Sequence, residues 1–150
     1  MDEDAGAIGA TMDNAYEALA ERMQRSLLIR WPGISLQKMH EGYARIALPV
    51  RPEFQGGGGT DALNGSILSY LMNTAMELAV DSLDPTGTIT NVTISLNLSY
   101  LHMIRGDQVE AEGRVTRRGG TVVFTEGAIY NKDGMLCVEG SGVYRLFREG

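Results

Sequence analysis

The stretch that decides the fold is Asn64-Gly65-Ser66-Ile67-Leu68-Ser69-Tyr70-Leu71-Met72-Asn73-Thr74-Ala75-Met76-Glu77-Leu78-Ala79-Val80. Ile67, Leu68, Leu71, Met72, Ala75, Leu78 and Ala79 recur at helical spacing, which predicts a helix from Gly65 to about Ser82. At about 100° per residue, Ser66, Tyr70, Asn73 and Glu77 fall within about 60° of one another. They form one polar stripe opposite Leu71, Ala75 and Ala79. Asp84-Pro85-Thr86-Gly87 breaks the helix and turns the chain.

Downstream of this helix the period changes from helical to two. In residues 89–101 the even positions Val92, Ile94, Leu96, Leu98 and Tyr100 are apolar, and Thr93, Ser95, Asn97 and Ser99 lie between them. That alternation predicts one half-buried strand. Val109, Ala111, Gly113 and Val115 repeat the pattern. Residues 121–131 and 135–147 give two more strands, joined by the turn Asn131-Lys132-Asp133-Gly134.

Upstream, two short strands are expected at 34–39 and 42–50, turning at Glu41-Gly42 and ended by Pro52. A loop over 51–63 contains Gly56-Gly57-Gly58-Gly59. Before Pro32-Gly33, a helix capped by Thr11 or Asp13 would carry Tyr16, Leu19, Ala20, Met23, Leu27 and Leu28 on one face. It occupies roughly 11–30, and residues 1–10 read as a frayed end. Strands dominate after one long apolar helix, so the fold class is α+β: an antiparallel sheet wrapping that helix, in a single domain over 1–150.

The composition supports a packed core and narrows the function. Hydrophobic residues make up 43% of 150, which is enough for one domain's interior. Thirteen Lys and Arg against nineteen Asp and Glu leave a net charge of −6, a poor match to nucleic acid or an anionic membrane. No apolar run approaches the ~18 residues of a membrane span. The opening Met1-Asp2-Glu3-Asp4 is acidic where a secretory signal is basic. The single Cys137 cannot form an internal disulfide, so a reducing, cytoplasmic setting is expected.

Several chemistries lack their residues. His40, His102 and Cys137 show no metal-ligand spacing, so no metal is expected. No Gly-x-Ser-x-Gly elbow occurs, and no Lys-Ser/Thr follows the four glycines as a phosphate loop requires. The opening of the long helix is different. Free backbone N–H groups at Asn64-Gly65-Ser66 carry partial positive charge and can polarise a carbonyl. A carboxylate further along the stripe can act on water or on the carbonyl carbon. The same spacing also describes an amphipathic helix whose polar stripe faces solvent or a partner subunit.

The segment 64–80 resembles the signature helix of hotdog-fold acyl-CoA thioesterases of the phenylacetate-degradation type. In that family a His-Gly-Gly opens the helix, and an Asp or Glu follows nine residues after the His, commonly before Thr-Ala. Here Asn64 stands at the His, Ser66 at the second Gly, and Asn73, nine residues on and before Thr74-Ala75, at the acid. The resemblance extends over about 35–147, through Asn91–Leu101, Gly106–Val115, Gly119–Phe124 and Asp133–Gly142.

It implies a hotdog fold, a homodimer or tetramer with the site between subunits, and hydrolysis of a coenzyme A thioester as substrate, with no cofactor. It places Gly65, Asn73 and Thr93 in the catalytic group, with Glu77, one helical turn past Asn73, as the acid that replaces the missing one. Asn64, Ser66 and Tyr70 would line the substrate, and Arg117, Arg118 and Gly119 would meet the coenzyme A phosphates. The alternative is a non-catalytic acyl-CoA binding or regulatory protein that kept the fold and lost the acid.

Overall fold

A computed structural model describes residues 14–56 and 59–148. In chain order the elements are α1 (Asn14–Gln24), α2 (Leu27–Arg30), β1 (Ser35–His40), β2 (Tyr43–Pro49), a short 3-10 turn (Pro52–Phe54), α3 (Gly65–Asp81), β3 (Ile89–Tyr100), β4 (Gln108–Arg118), β5 (Val122–Tyr130) and β6 (Leu136–Arg148). The six strands form one antiparallel sheet in the order β1-β2-β4-β5-β6-β3. This is the hotdog arrangement: the sheet curls around α3, and bulges in β1, β3 and β4 supply extra twist.

α3 is seated deeply because the sheet has no side chain where the two touch. A Cβ placed on Gly113 of β4 would collide with the backbone of Ala75 and Met76. Leu71, Met72, Ala75, Met76 and Ala79 are fully buried against inward residues of the sheet such as Ile46, Val109, Ala111, Val123 and Ile129. The outer face of β2, β4 and β5 is polar. There the Tyr43 and Tyr130 hydroxyls both donate to the Glu112 carboxylate.

The N-terminal helix differs from its sequence reading. Tyr16, Leu19, Ala20 and Met23 are buried as expected, but the helix stops at Gln24. The chain turns at Arg25-Ser26, and Ser26 caps a new four-residue helix by accepting the Leu28 amide. The restart rotates Leu27 and Leu28 to the surface, 74% and 61% exposed, and buries Ile29 instead. The cap positions Thr11 and Asp13, residues 1–10, and Gly57 and Gly58 lie outside the described residues.

β3 also departs from the expected alternation. Thr93 pairs with Tyr144 and Ser95 with Val143, so one extra residue sits between them. The bulge flips the phase of the strand. Asn91 and Thr93 face α3 before it, and Leu96, Leu98 and Tyr100 face the helix side after it, as their partners Leu146, Tyr144, Gly142, Gly140 and Val138 show. β3 is an edge strand, bonded to β6 alone. Val92, Ile94 and Tyr100 are half exposed rather than half buried.

The close seating of α3 on Gly113 gives a direct test. Gly113→Ala should destabilise the fold by ~1–3 kcal/mol, because the new methyl meets backbone that cannot rotate away. Denaturant unfolding checks it, and an unchanged midpoint would contradict the packing described.

Candidate functional site

Asn64 is the N-cap of α3. Its Oδ1 accepts the Ser66 amide at 2.9 Å and the Ser66 hydroxyl at 2.6 Å. The Ser66 amide is therefore spent on the cap, which corrects the expectation that it faces a substrate carbonyl. Among the described residues no acceptor engages the Gly65 amide, the first of the helix. Beside it, the Tyr100 hydroxyl donates to the Gly65 carbonyl at 3.0 Å.

Two turns on, the polar stripe meets β3 and β6. The Asn73 Nδ2 donates to Glu77 Oε1 at 3.0 Å. Asn73 Oδ1 accepts the Tyr144 hydroxyl at 2.7 Å. The Thr93 hydroxyl lies 3.1 Å from Asn73 Oδ1 and 3.3 Å from Glu77 Oε1, so its one proton reaches either. Asn73, Glu77 and Thr93 are thus gathered in one cluster. Its orienting tyrosine, Tyr144, was missed in the sequence because an inward tyrosine on a strand reads as core.

Burial pushes the Glu77 carboxyl upward, and the hydrogen bonds from Asn73 and Thr93 hold it back. Asn73 donates to it, and the Thr93 hydroxyl lies within donating distance. Burial and the nearby Glu77 charge also perturb Tyr144, whose phenol is raised well above its ordinary value and stays a donor.

The next turn adds a second carboxylate. Asp81 follows Glu77 at i+4 and receives the Asn91 Nδ2 hydrogen bond at 2.6 Å. Burial, and then the Glu77 charge, push it up to about 7, against the pull of Asn91 and of Arg22 on α1. Extending the stripe by one turn would have found it in the sequence. Both carboxylates border a cavity of about 440 Å³ between α1, α2, α3 and the start of β3, whose apolar wall includes Leu19, Met23 and Leu78.

The remaining candidates lie elsewhere. Tyr70 gives its hydroxyl to the Leu28 carbonyl at 2.5 Å and packs edge-on against Trp31, so it ties α2 to α3. Arg117 and Arg118 are exposed at the end of β4, and Gly119 follows them. Arg118 pairs with Val123, Val123 with Tyr144, and Tyr144 with Thr93. That row puts Arg118 three strand spacings, about 14 Å, from Thr93. Among the described residues no three His, Cys, Asp or Glu gather in a way that would hold a metal. His40 stacks on Tyr43, His102 is exposed and Cys137 is buried. No helix among the described residues is long and apolar enough to cross a membrane.

Known proteins resemble this chain in sequence and in fold. The family model of the thioesterase superfamily matches residues 61–138. A Halobacterium salinarum protein named "Putative esterase" is 31% identical over 149 residues, covering 94% of this chain and 98% of its own. Among solved structures, the Escherichia coli PaaI protein from the phenylacetic acid degradation operon superposes with a TM-score of 0.78 at 20% identity, covering 91% of this chain and 94% of its own. A thioesterase of Haemophilus influenzae gives 0.76 at 19% identity, over 92% and 94%. A protein with this helix, sheet and match belongs to the thioesterase superfamily, and its fold is the hotdog fold.

The buried carboxylate beyond Glu77 leaves a signature in stability. Asp81 carries more proton in the folded than in the unfolded chain between its ordinary value of 3.8 and about 7. Stability is therefore lost as pH rises through that window. Asp81→Asn keeps an acceptor for Asn91 and removes the charge. It should be more stable than the parent by ~2–4 kcal/mol at pH 8, with the difference vanishing near pH 4. Thermal unfolding of both chains across pH checks this; a constant difference would contradict it.

Proposed function

We propose that this chain hydrolyses acyl-CoA thioesters at a site completed between two subunits. The observation that carries this reading is the Glu77 carboxylate, held by Asn73 and Thr93 where the stripe of α3 opens onto a cavity. Glu77 takes a proton from water, Asn73 and Thr93 fix the carboxylate's orientation, and the water attacks the thioester carbon. The Gly65 amide at the head of α3 polarises the carbonyl oxygen. Collapse of the tetrahedral species expels the coenzyme A thiolate, and the proton on Glu77 returns to it. Asn64 sets the helix opening, and Ser66 and Tyr70 border the substrate's path.

The site has to come from two chains. Gly65 and Glu77 are twelve residues apart on one helix, about 18 Å along its axis. One thioester carbonyl cannot touch both in a single subunit. The unpaired edge of β3, with exposed Val92, Ile94 and Leu96, offers the surface on which a second copy would pair and bring its own α3 alongside. We assign Arg117 and Arg118, with Gly119 at the turn, to the coenzyme A phosphates. The proposed partners are thus the acyl-CoA substrate and a second copy, as homodimer or tetramer. A cytoplasmic setting fits the single cysteine.

A specific observation favours the second reading, an acyl-CoA binding protein without catalysis. Position 73 is an amide whose oxygen and nitrogen are both committed, so only Glu77 is left to act on water. Free-thiol release from acyl-CoA decides between them. Glu77→Gln should lower kcat by ~10² or more while KM changes little. Equal rates for parent and variant would remove Glu77 as the base. Tight acyl-CoA binding without turnover would favour the binding protein.

A further inference from the structure

The reaction proposed above needs one carboxylate, and the cavity has two. Asp81 sits one helical turn past Glu77, about 6 Å along the axis, and lines the same cavity. Its Oδ1 takes the Asn91 hydrogen bond, and no donor among the described residues engages its Oδ2. No side-chain oxygen sealed from solvent lacks a partner among the described residues, so Oδ2 faces open space. The wall that the two carboxylates share also carries hydrocarbon, from Leu19, Met23 and Leu78. Arg22, also on the wall, makes no ion pair with Asp81.

We infer that the cavity receives the acyl group and that Asp81 selects acyl chains ending in a hydrogen-bond donor, a hydroxyl or an ammonium, about 6 Å beyond the thioester carbon. The inference rests on Glu77 lying at the reacting carbon. A methyl-ended chain would strip water from the Asp81 carboxylate and return no hydrogen bond, a cost that a donor avoids. A carboxylate-ended chain would find one arginine against two acids. A site built to bond a substrate donor discriminates strongly against the analogue that lacks it. The position of Asp81 also accounts for a buried carboxyl whose ionisation costs the fold stability.

The chain length follows from the spacing. An extended five-carbon acyl group places its terminal heteroatom about one helical turn from the carbonyl. The probes are therefore 5-hydroxypentanoyl-, 5-aminopentanoyl-, hexanoyl- and glutaryl-CoA. The donor-ended thioesters can close to a lactam or lactone and release thiol unaided, so kcat/KM is taken from free-acid formation above the enzyme-free rate, and calorimetry with the matching non-hydrolysable thioethers measures binding.

For the parent, both donor-ended chains should exceed hexanoyl and glutaryl by ~10-fold or more in kcat/KM and in affinity. Asp81→Leu should reverse that order, raising hexanoyl above the donor-ended chains, and a raised hexanoyl rate also shows that the variant is folded. Asp81→Asn should keep the hydroxyl preference and lose the ammonium one. A parent that treats hexanoyl as well as 5-hydroxypentanoyl overturns the inference, as does one that prefers glutaryl. So does an Asp81→Leu chain that keeps the parent's order. Donor-selective thioether binding without hydrolysis would uphold the selection by Asp81 while removing the hydrolytic reading.

Discussion

The close approach of α3 to the sheet is the constraint on which the rest depends. Gly113 leaves the space in which the backbone of Ala75 lies, and the fully apolar side of the helix is then sealed. Once that side is fixed, the rotation of α3 about its axis is fixed too. The opposite stripe, with Asn73, Glu77 and Asp81, has to meet β3, β6 and α1. A bulkier residue at position 113 would lift the helix at Ala75 and Met76 and so loosen the cluster on its opposite side.

Much of this was legible in the sequence, and the failures have identifiable causes. The long helix was read to within one residue of its observed end because apolar spacing and the break at Asp84-Pro85 agree. The turn at Asn131–Gly134 was read from its residue types, and Asn131 does accept two amides there. α1 was read too long because Leu27 and Leu28 continue the helical period. Only the Ser26 cap, which competes with continuation, marks the break. β3 was read as one phase because an extra residue in a bulge leaves no trace in an alternating pattern. The consequence is functional: the bulge between Thr93 and Ser95 keeps Thr93 on the helix side.

The site was legible in part. Helical spacing put Asn73 and Glu77 on one stripe, the family resemblance added Thr93, and the three are bonded to one another. That the Asn64 side chain occupies the Ser66 amide was open to a sequence reading, since Asn before a helix is a favoured cap, but its alignment with the family His drew attention to the substrate instead. Sequence could not show that Tyr144 reaches across from β6 to the Asn73 amide. The electrostatic balance of the stripe is a tertiary property as well. Glu77 and Asp81 are ordinary surface-type residues until α1 and β3 cover them, and only then does burial raise both.

The central claim is that Gly65 of one subunit and Glu77 of another make one site. Gly65→Pro removes the amide donor at the first helical position, where proline is tolerated, and Asn64 already has the extended backbone that a following proline requires. The decisive measurement is thiol release by a co-refolded equal mixture of Gly65→Pro and Glu77→Gln chains, each inactive alone. Random pairing makes half the dimers hybrids, each with one intact site of two. The account predicts recovery of roughly a quarter of the parent activity. A mixture that forms hybrids and stays inactive would contradict it.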